Sequence, residues 1–207
     1  MAQATPSPVY RQRIRDLRQA LTRHKIPALL ITNRFDHVHL TGFTGEDSAV
    51  LVTRTAVQII SDGRFATSIR KEAPWAKVAL RKGTLEEEIV KVVKALRLRS
   101  VAVQAEYLTV AARRELQRGL RGVKLIDAPP VFRELRISKS ADELKLINKA
   151  ARIAEEAYRA TLATLRLGQT ELEIAARLEY EMKRRGSTAP AFDSIVAIDG
   201  NAALPHA

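Results

Sequence analysis

The 207-residue chain is 46% hydrophobic and 28% charged, which supplies the core of one medium or two small globular domains without a disulfide or metal staple. It has no cysteine, which excludes disulfide frameworks, zinc knuckles, thiol nucleophiles and iron–sulfur ligation and fits a reducing, cytoplasmic compartment. Net charge is +12 and uneven: residues 1–30 carry +5, 31–90 are neutral, 91–139 carry +8 and 140–207 carry −1. No apolar run approaches the roughly 18 residues of a membrane span, and arginines break up the region where a signal peptide would need an apolar core. The chain is therefore expected to be soluble, with no membrane partner. Its arginines are scattered through helical segments without the interleaved aromatics of a single-strand platform, which argues against nucleic acid.

In chain order, Pro6 and Pro8 mark a loose tail over residues 1–8. Ile14, Leu17 and Leu21 recur at helical spacing, and Pro27 separates that helix from residues 28–31, a short buried strand. Two β-rich runs, 48–53 and 57–61, separated by a few residues predict a hairpin whose second strand is closed by Asp62-Gly63, followed by a helix over 65–72. Thr84-x-x-Glu87 is a capping box opening a helix with Ile89, Val92, Val93 and Leu96 on one face, and a strand over 101–104 follows. A helix over 109–119 and a strand over 123–126 precede Pro129-Pro130, which breaks the pattern. Strands alternating with helices, plus a hairpin, predict an α/β domain with a mixed sheet over 9–132. From Lys139 the texture becomes helical. Ser140-x-x-Glu143 and Thr170-x-x-Glu173 are capping boxes opening two helices, stopped by Gly168 and Gly186, and residues 195–198 read as one strand.

Neither G-x-G-x-x-G nor a P-loop occurs, nor a G-x-S-x-G elbow, so those routes to nucleotide binding and covalent catalysis are closed. Asp36-His37-x-His39 offers two imidazoles and a carboxylate. In an extended segment His37 and His39 share a face, but nothing nearby completes a ligand set, so no metal is assigned there. Glu86, Glu87 and Glu88 fall in the first turn of a helix, where carboxylates favour the positive end of the dipole, and are read as structural.

Several stretches in order carry a family resemblance. Asn33 with Leu40-Thr41-Gly42-Phe43-Thr44-Gly45, then Ser61-Asp62-Gly63-Arg64-Phe65, resembles the amino-terminal domain shared by creatinase, prolidase and Xaa-Pro aminopeptidases. Lys139-Ser140 with Glu143-Leu144, Gly168-Gln169-Thr170-Glu171, Gly186, Phe192-Asp193-Ser194-Ile195-Val196 and Gly200-Asn201-Ala202-Ala203-Leu204-Pro205-His206 are similar to the start of that family's pita-bread catalytic domain. His39 stands where many relatives carry Tyr. The resemblance implies a creatinase-like α/β domain over 9–132 and an incomplete α+β pita-bread domain over 139–207.

It further implies metal-dependent hydrolysis of Xaa-Pro bonds, by an aminopeptidase or dipeptidase, on proline-containing peptides, with a homo-oligomer as an allowed assembly. Two divalent ions, manganese, zinc or cobalt, would activate a bridging water. In the family their ligands lie downstream of the position matched by His206, which itself matches a substrate-contacting histidine. No metal ligand and no bound cofactor is therefore assigned within these residues, and the 207-residue chain is expected to be inactive alone. The alternative reading is a non-catalytic binding module for an acidic partner, protein or nucleic acid.

Overall fold

The computed structural model describes residues 5–205, which divide into two compact units meeting between Ser138 and Lys139. The first unit contains α1 (Pro8–Arg23), β1 (Ala28–Ile31), α2 (Arg34–Thr41), β2 (Ala49–Thr53), β3 (Val57–Asp62), α3 (Ala66–Glu72), β4 (Lys77–Arg81), α4 (Leu85–Ala95), β5 (Ser100–Val103), α5 (Val110–Gly119), β6 (Lys124–Asp127) and α6 (Val131–Ile137). The second contains α7 (Ala141–Leu162), α8 (Glu171–Arg184) and a 3₁₀ turn, Asp199–Ala203.

Six strands form one sheet in the order β4-β3-β2-β1-β5-β6. The hairpin β2–β3 and the pair β1–β2 are antiparallel, whereas β1–β5, β3–β4 and β5–β6 are parallel. Every residue of β1 and β2 is buried, as helices on both faces require. The two-residue period of a strand sorts their side chains. Leu29, Ile31, Val50, Val52 and Ile59 meet Ile14, Leu17 and Leu21 of α1, Leu40 of α2, Ile69 of α3 and Phe132 of α6. On the other face Leu30, Leu51, Ile60, Val101 and Val103 pack with Ile89, Val92 and Val93 of α4 and Leu116 of α5.

In the second unit both capping boxes form. The Ser140 and Thr170 side chains accept the Glu143 and Glu173 N–H groups, and the glutamates return to the cap N–H groups. Glu181 of α8 is buried between Arg177 and Arg185, and Arg185 also reaches Glu156 of α7 at 3.8 Å. The Arg185 hydrogen bond, before any other influence, holds the Glu181 carboxyl below the usual range.

Four elements depart from the sequence expectations. Residues 34–41 form helix α2 rather than an extended segment, so His37 and His39, two apart on a helix, point to different sides. Asn33 caps that helix by accepting the Asp36 N–H at 3.0 Å, but eight residues are too few to show a period. Residues 195–198 pair with no strand among the described residues, and a strand exists only through its ladder. Pro130 starts α6 instead of only ending what precedes it, because a helix's first residues need no N–H donor. The edge strand β4, which no strong apolar run announces, completes the sheet.

Candidate functional site

In the second unit, the segment leading to position 206 is held by one carboxylate. Glu171, the first residue of α8, accepts the Ile198 N–H on Oε1 at 2.7 Å and the Asn201 side-chain amide on both oxygens at 3.1 Å. The 3₁₀ turn Asp199–Ala203 is thereby fastened to the N-terminus of α8, where a carboxylate is also favoured by the helix dipole. His206, the one side chain expected to contact substrate, lies outside the described residues. Glu171 stood in the Gly168-Gln169-Thr170-Glu171 stretch, but nothing in the sequence showed that its acceptors serve Ile198 and Asn201.

In the first unit, polar side chains gather where the parallel neighbours β1 and β5 end. Gln104, just after β5, accepts the Thr32 and Asn33 N–H groups on Oε1 at 2.9 and 3.0 Å and donates from Nε2 to Asp36 Oδ2 at 2.6 Å. The other Asp36 oxygen accepts Arg136 Nη1 at 2.7 Å, and Asp36 itself is buried. One helix residue later, His37 is buried and stacks on Phe43 at 5.9 Å, with Phe65 edge-on to Phe43 at 6.0 Å. Burial pushes the His37 pKa down to about 4, against a weaker opposing pull from the Phe43 backbone, and Nδ1 has no hydrogen-bond partner. His37 is thus a neutral packing residue.

The loop after α2 explains the Gly42-Phe43-Thr44-Gly45 stretch. Gly42 has φ +77°, and a Cβ there would sit 2.3 Å from the Tyr10 hydroxyl. A Cβ on Gly45 would meet the Phe43 ring at 2.2 Å. In the Ser61–Phe65 stretch, Asp62 binds Arg64 Nη2 at 2.6 Å and Arg81 Nη2 at 3.1 Å, while Arg81 also reaches Asp47 at 2.8 Å. The Arg64 hydrogen bond, foremost, keeps Asp62 below the ordinary carboxylate range. These motif residues shape loops and do not converge on a reacting centre.

Glu87 completes the Thr84 capping box and Glu88 pairs with Lys91 at 3.1 Å, so these carboxylates do the helix-end work expected of them. Among the described residues no group of three or more His, Cys, Asp or Glu side chains could hold a metal ion. The described residues therefore do not fit a binuclear centre, and no hydrolytic step is assigned to them.

Residues 13–138 match the creatinase/prolidase N-terminal domain. The chain belongs to the creatinase/prolidase family. Its match continues over residues 145–207 with metallopeptidase family M24. An Xaa-Pro dipeptidase of Pyrococcus furiosus is 33% identical over 154 residues, covering 72% of this chain and 43% of the relative. The Xaa-Pro dipeptidase structure from Bacillus anthracis superposes with a TM-score of 0.89 at 29% identity over 95% of this chain and 55% of that one. An X-Pro aminopeptidase structure from Thermotoga maritima gives 0.81 at 31% identity over 91% and 55%. The chain thus spans about half the length of the family members it matches. Within this creatinase/prolidase member, no described helix is long and apolar enough to cross a membrane.

Proposed function

We propose that this chain contributes the amino-terminal domain and the first helices of the catalytic domain to metal-dependent hydrolysis of Xaa-Pro peptide bonds, as an aminopeptidase or dipeptidase acting in the cytoplasm. The observation that carries the reading is the likeness to an Xaa-Pro dipeptidase along 95% of the chain at 29% identity, with both family matches in order. The 207-residue polypeptide on its own is inactive in this reading. In the family the ligands for the two ions follow the position of His206, and the described residues offer no substitute. The roles left to these residues are scaffolding and, at His206, substrate contact. A neutral imidazole there donates a hydrogen bond to the scissile carbonyl oxygen, and removing one such donor costs about 10²- to 10³-fold in rate.

The test compares the 207-residue polypeptide with one extended by the codons that follow Ala207 in its gene. Both are assayed on an Xaa-Pro dipeptide and on a longer Xaa-Pro peptide with added manganese, zinc or cobalt. Activity is expected only in the extended chain, and the preferred substrate length separates dipeptidase from aminopeptidase. Hydrolysis by the 207 residues alone would overturn the inactivity, and a metal-loaded but inert extended chain would overturn the peptidase reading.

A further inference from the structure

We propose that the outer face of α5, together with the turns that enter β5 and β6, is a docking surface for the phosphate backbone of double-stranded nucleic acid. Arg114, Gln117, Arg118 and Arg121 line an open concavity of about 610 Å³. A spacing of four residues places Arg114 and Arg118 on one side of α5, about 6 Å apart along its axis, and Arg121 follows in the turn that leads from α5 into β6. Because β5 and β6 are parallel, the turn before each lies at the same end of the sheet, and the Lys124 N–H donates to the Arg99 carbonyl at 2.9 Å. Arg97, Arg99 and Lys124 thereby extend the α5 stripe, and all six cations are exposed.

These charges are not spent within the fold. Among the described residues, Arg97, Arg99, Arg114, Arg121 and Lys124 form no ion pair, and Arg118 meets only Glu115, at 3.8 Å. Five of the six cations are arginines, whose planar forks match phosphate oxygens two at a time. Leu116 of α5 is buried beneath this face, and Val110 at the start of the helix is its one exposed large apolar side chain, too little for a wedge into a lipid surface. Tyr107, the one aromatic in this stretch, follows β5 at the opposite end of the sheet, so no stacking platform for single strands accompanies the arginines. A row of fixed cations without aromatics suits a regular duplex read by its backbone. The sequence argued against nucleic acid because these residues are scattered along it; the fold brings them to one face. This surface is independent of the Xaa-Pro reading.

The test is fluorescence anisotropy of a labelled 24-base-pair duplex titrated with the full 207-residue chain. About four neutralised phosphates predict a roughly 100-fold loss of affinity between 50 and 200 mM salt. The triple variant Arg114→Gln, Arg118→Gln, Arg121→Gln should bind at least 10-fold more weakly at 50 mM and lower the salt slope by about three. Arg11→Gln, Arg152→Gln, Arg166→Gln removes the same charge elsewhere and should leave binding within about twofold. No binding at 50 mM salt, equal losses in both triple variants, or preference for polyglutamate or anionic vesicles over the duplex would each overturn the assignment. Melting curves confirm that both variants remain folded, and their peptidase activity in the extended chain is expected to be unchanged.

Discussion

Gln104 and Asp36 are 68 residues apart in the chain and 2.6 Å apart in the fold, joined through Nε2 and Oδ2. With its other end Gln104 accepts two successive N–H groups after β1, so one amide closes the gap between parallel strands and orients the carboxylate that receives Arg136. Gln104→Ala should destabilise the first unit by about 2–3 kcal/mol, since it strands buried donors and removes a donor from a buried carboxylate. Gln104→Glu preserves the acceptor but replaces the donor to Asp36 with a second carboxylate, so it should be destabilising as well. Urea melts at pH 7 measure both effects. Equal stability of wild type and Gln104→Ala would show that the network carries no energy.

His37 makes the first unit acid-sensitive. Its folded pKa of about 4 lies below the unfolded value of 6.5, so the unfolded chain takes up the proton first. The associated stability is complete above pH 6.5 and is lost as pH falls toward 4, by about 3 kcal/mol in all. His37→Phe, which keeps an aromatic against Phe43, should flatten that part of the stability–pH curve relative to wild type. Parallel curves for the two proteins between pH 7 and pH 4 would contradict the assignment.

Glu171 should govern local order more than global stability. Glu171→Ala removes the acceptors of the Ile198 N–H and the Asn201 amide, so hydrogen exchange over residues 198–205 should accelerate at least tenfold while α7 and α8 keep their protection. Glu171→Asp, one methylene shorter, should show an intermediate effect. Unchanged exchange at Ile198 would mean that something else holds the turn.

The two units should differ in solution behaviour. Both hydrophobic clusters lie within the first unit, whereas Leu144, Ile147, Tyr158, Leu162 and Leu172 of the second are exposed, Leu172 to 79%. Residues 1–138 alone should be monodisperse and melt cooperatively. The 207-residue chain should bind an apolar dye and associate in light scattering. A monomeric full chain that binds no dye would show that this apolar surface is tolerated in water.

The sequence by itself determined the elements whose signals are local. The three capping boxes, the periodic faces of Ile14, Leu17 and Leu21 and of Ile89, Val92 and Val93, and the β2–β3 hairpin each need only neighbours a few residues away, and all formed. The ordered motifs were likewise enough to indicate the family, and residues 13–138 match it. Only the tertiary structure decided what depends on partners distant in the chain. It turned Asp36-His37-x-His39 from an open pair of imidazoles into a helix with Asp36 and His37 buried, because Gln104 and Arg136 arrive from 68 and 100 residues away to satisfy Asp36 while Phe43 covers His37. It left residues 195–198 unpaired among the described residues, since a strand exists only where a ladder partner is present. And it set Arg97, Arg99 and Lys124 beside the α5 arginines, because parallel pairing of β5 with β6 brings both entering turns to one end of the sheet.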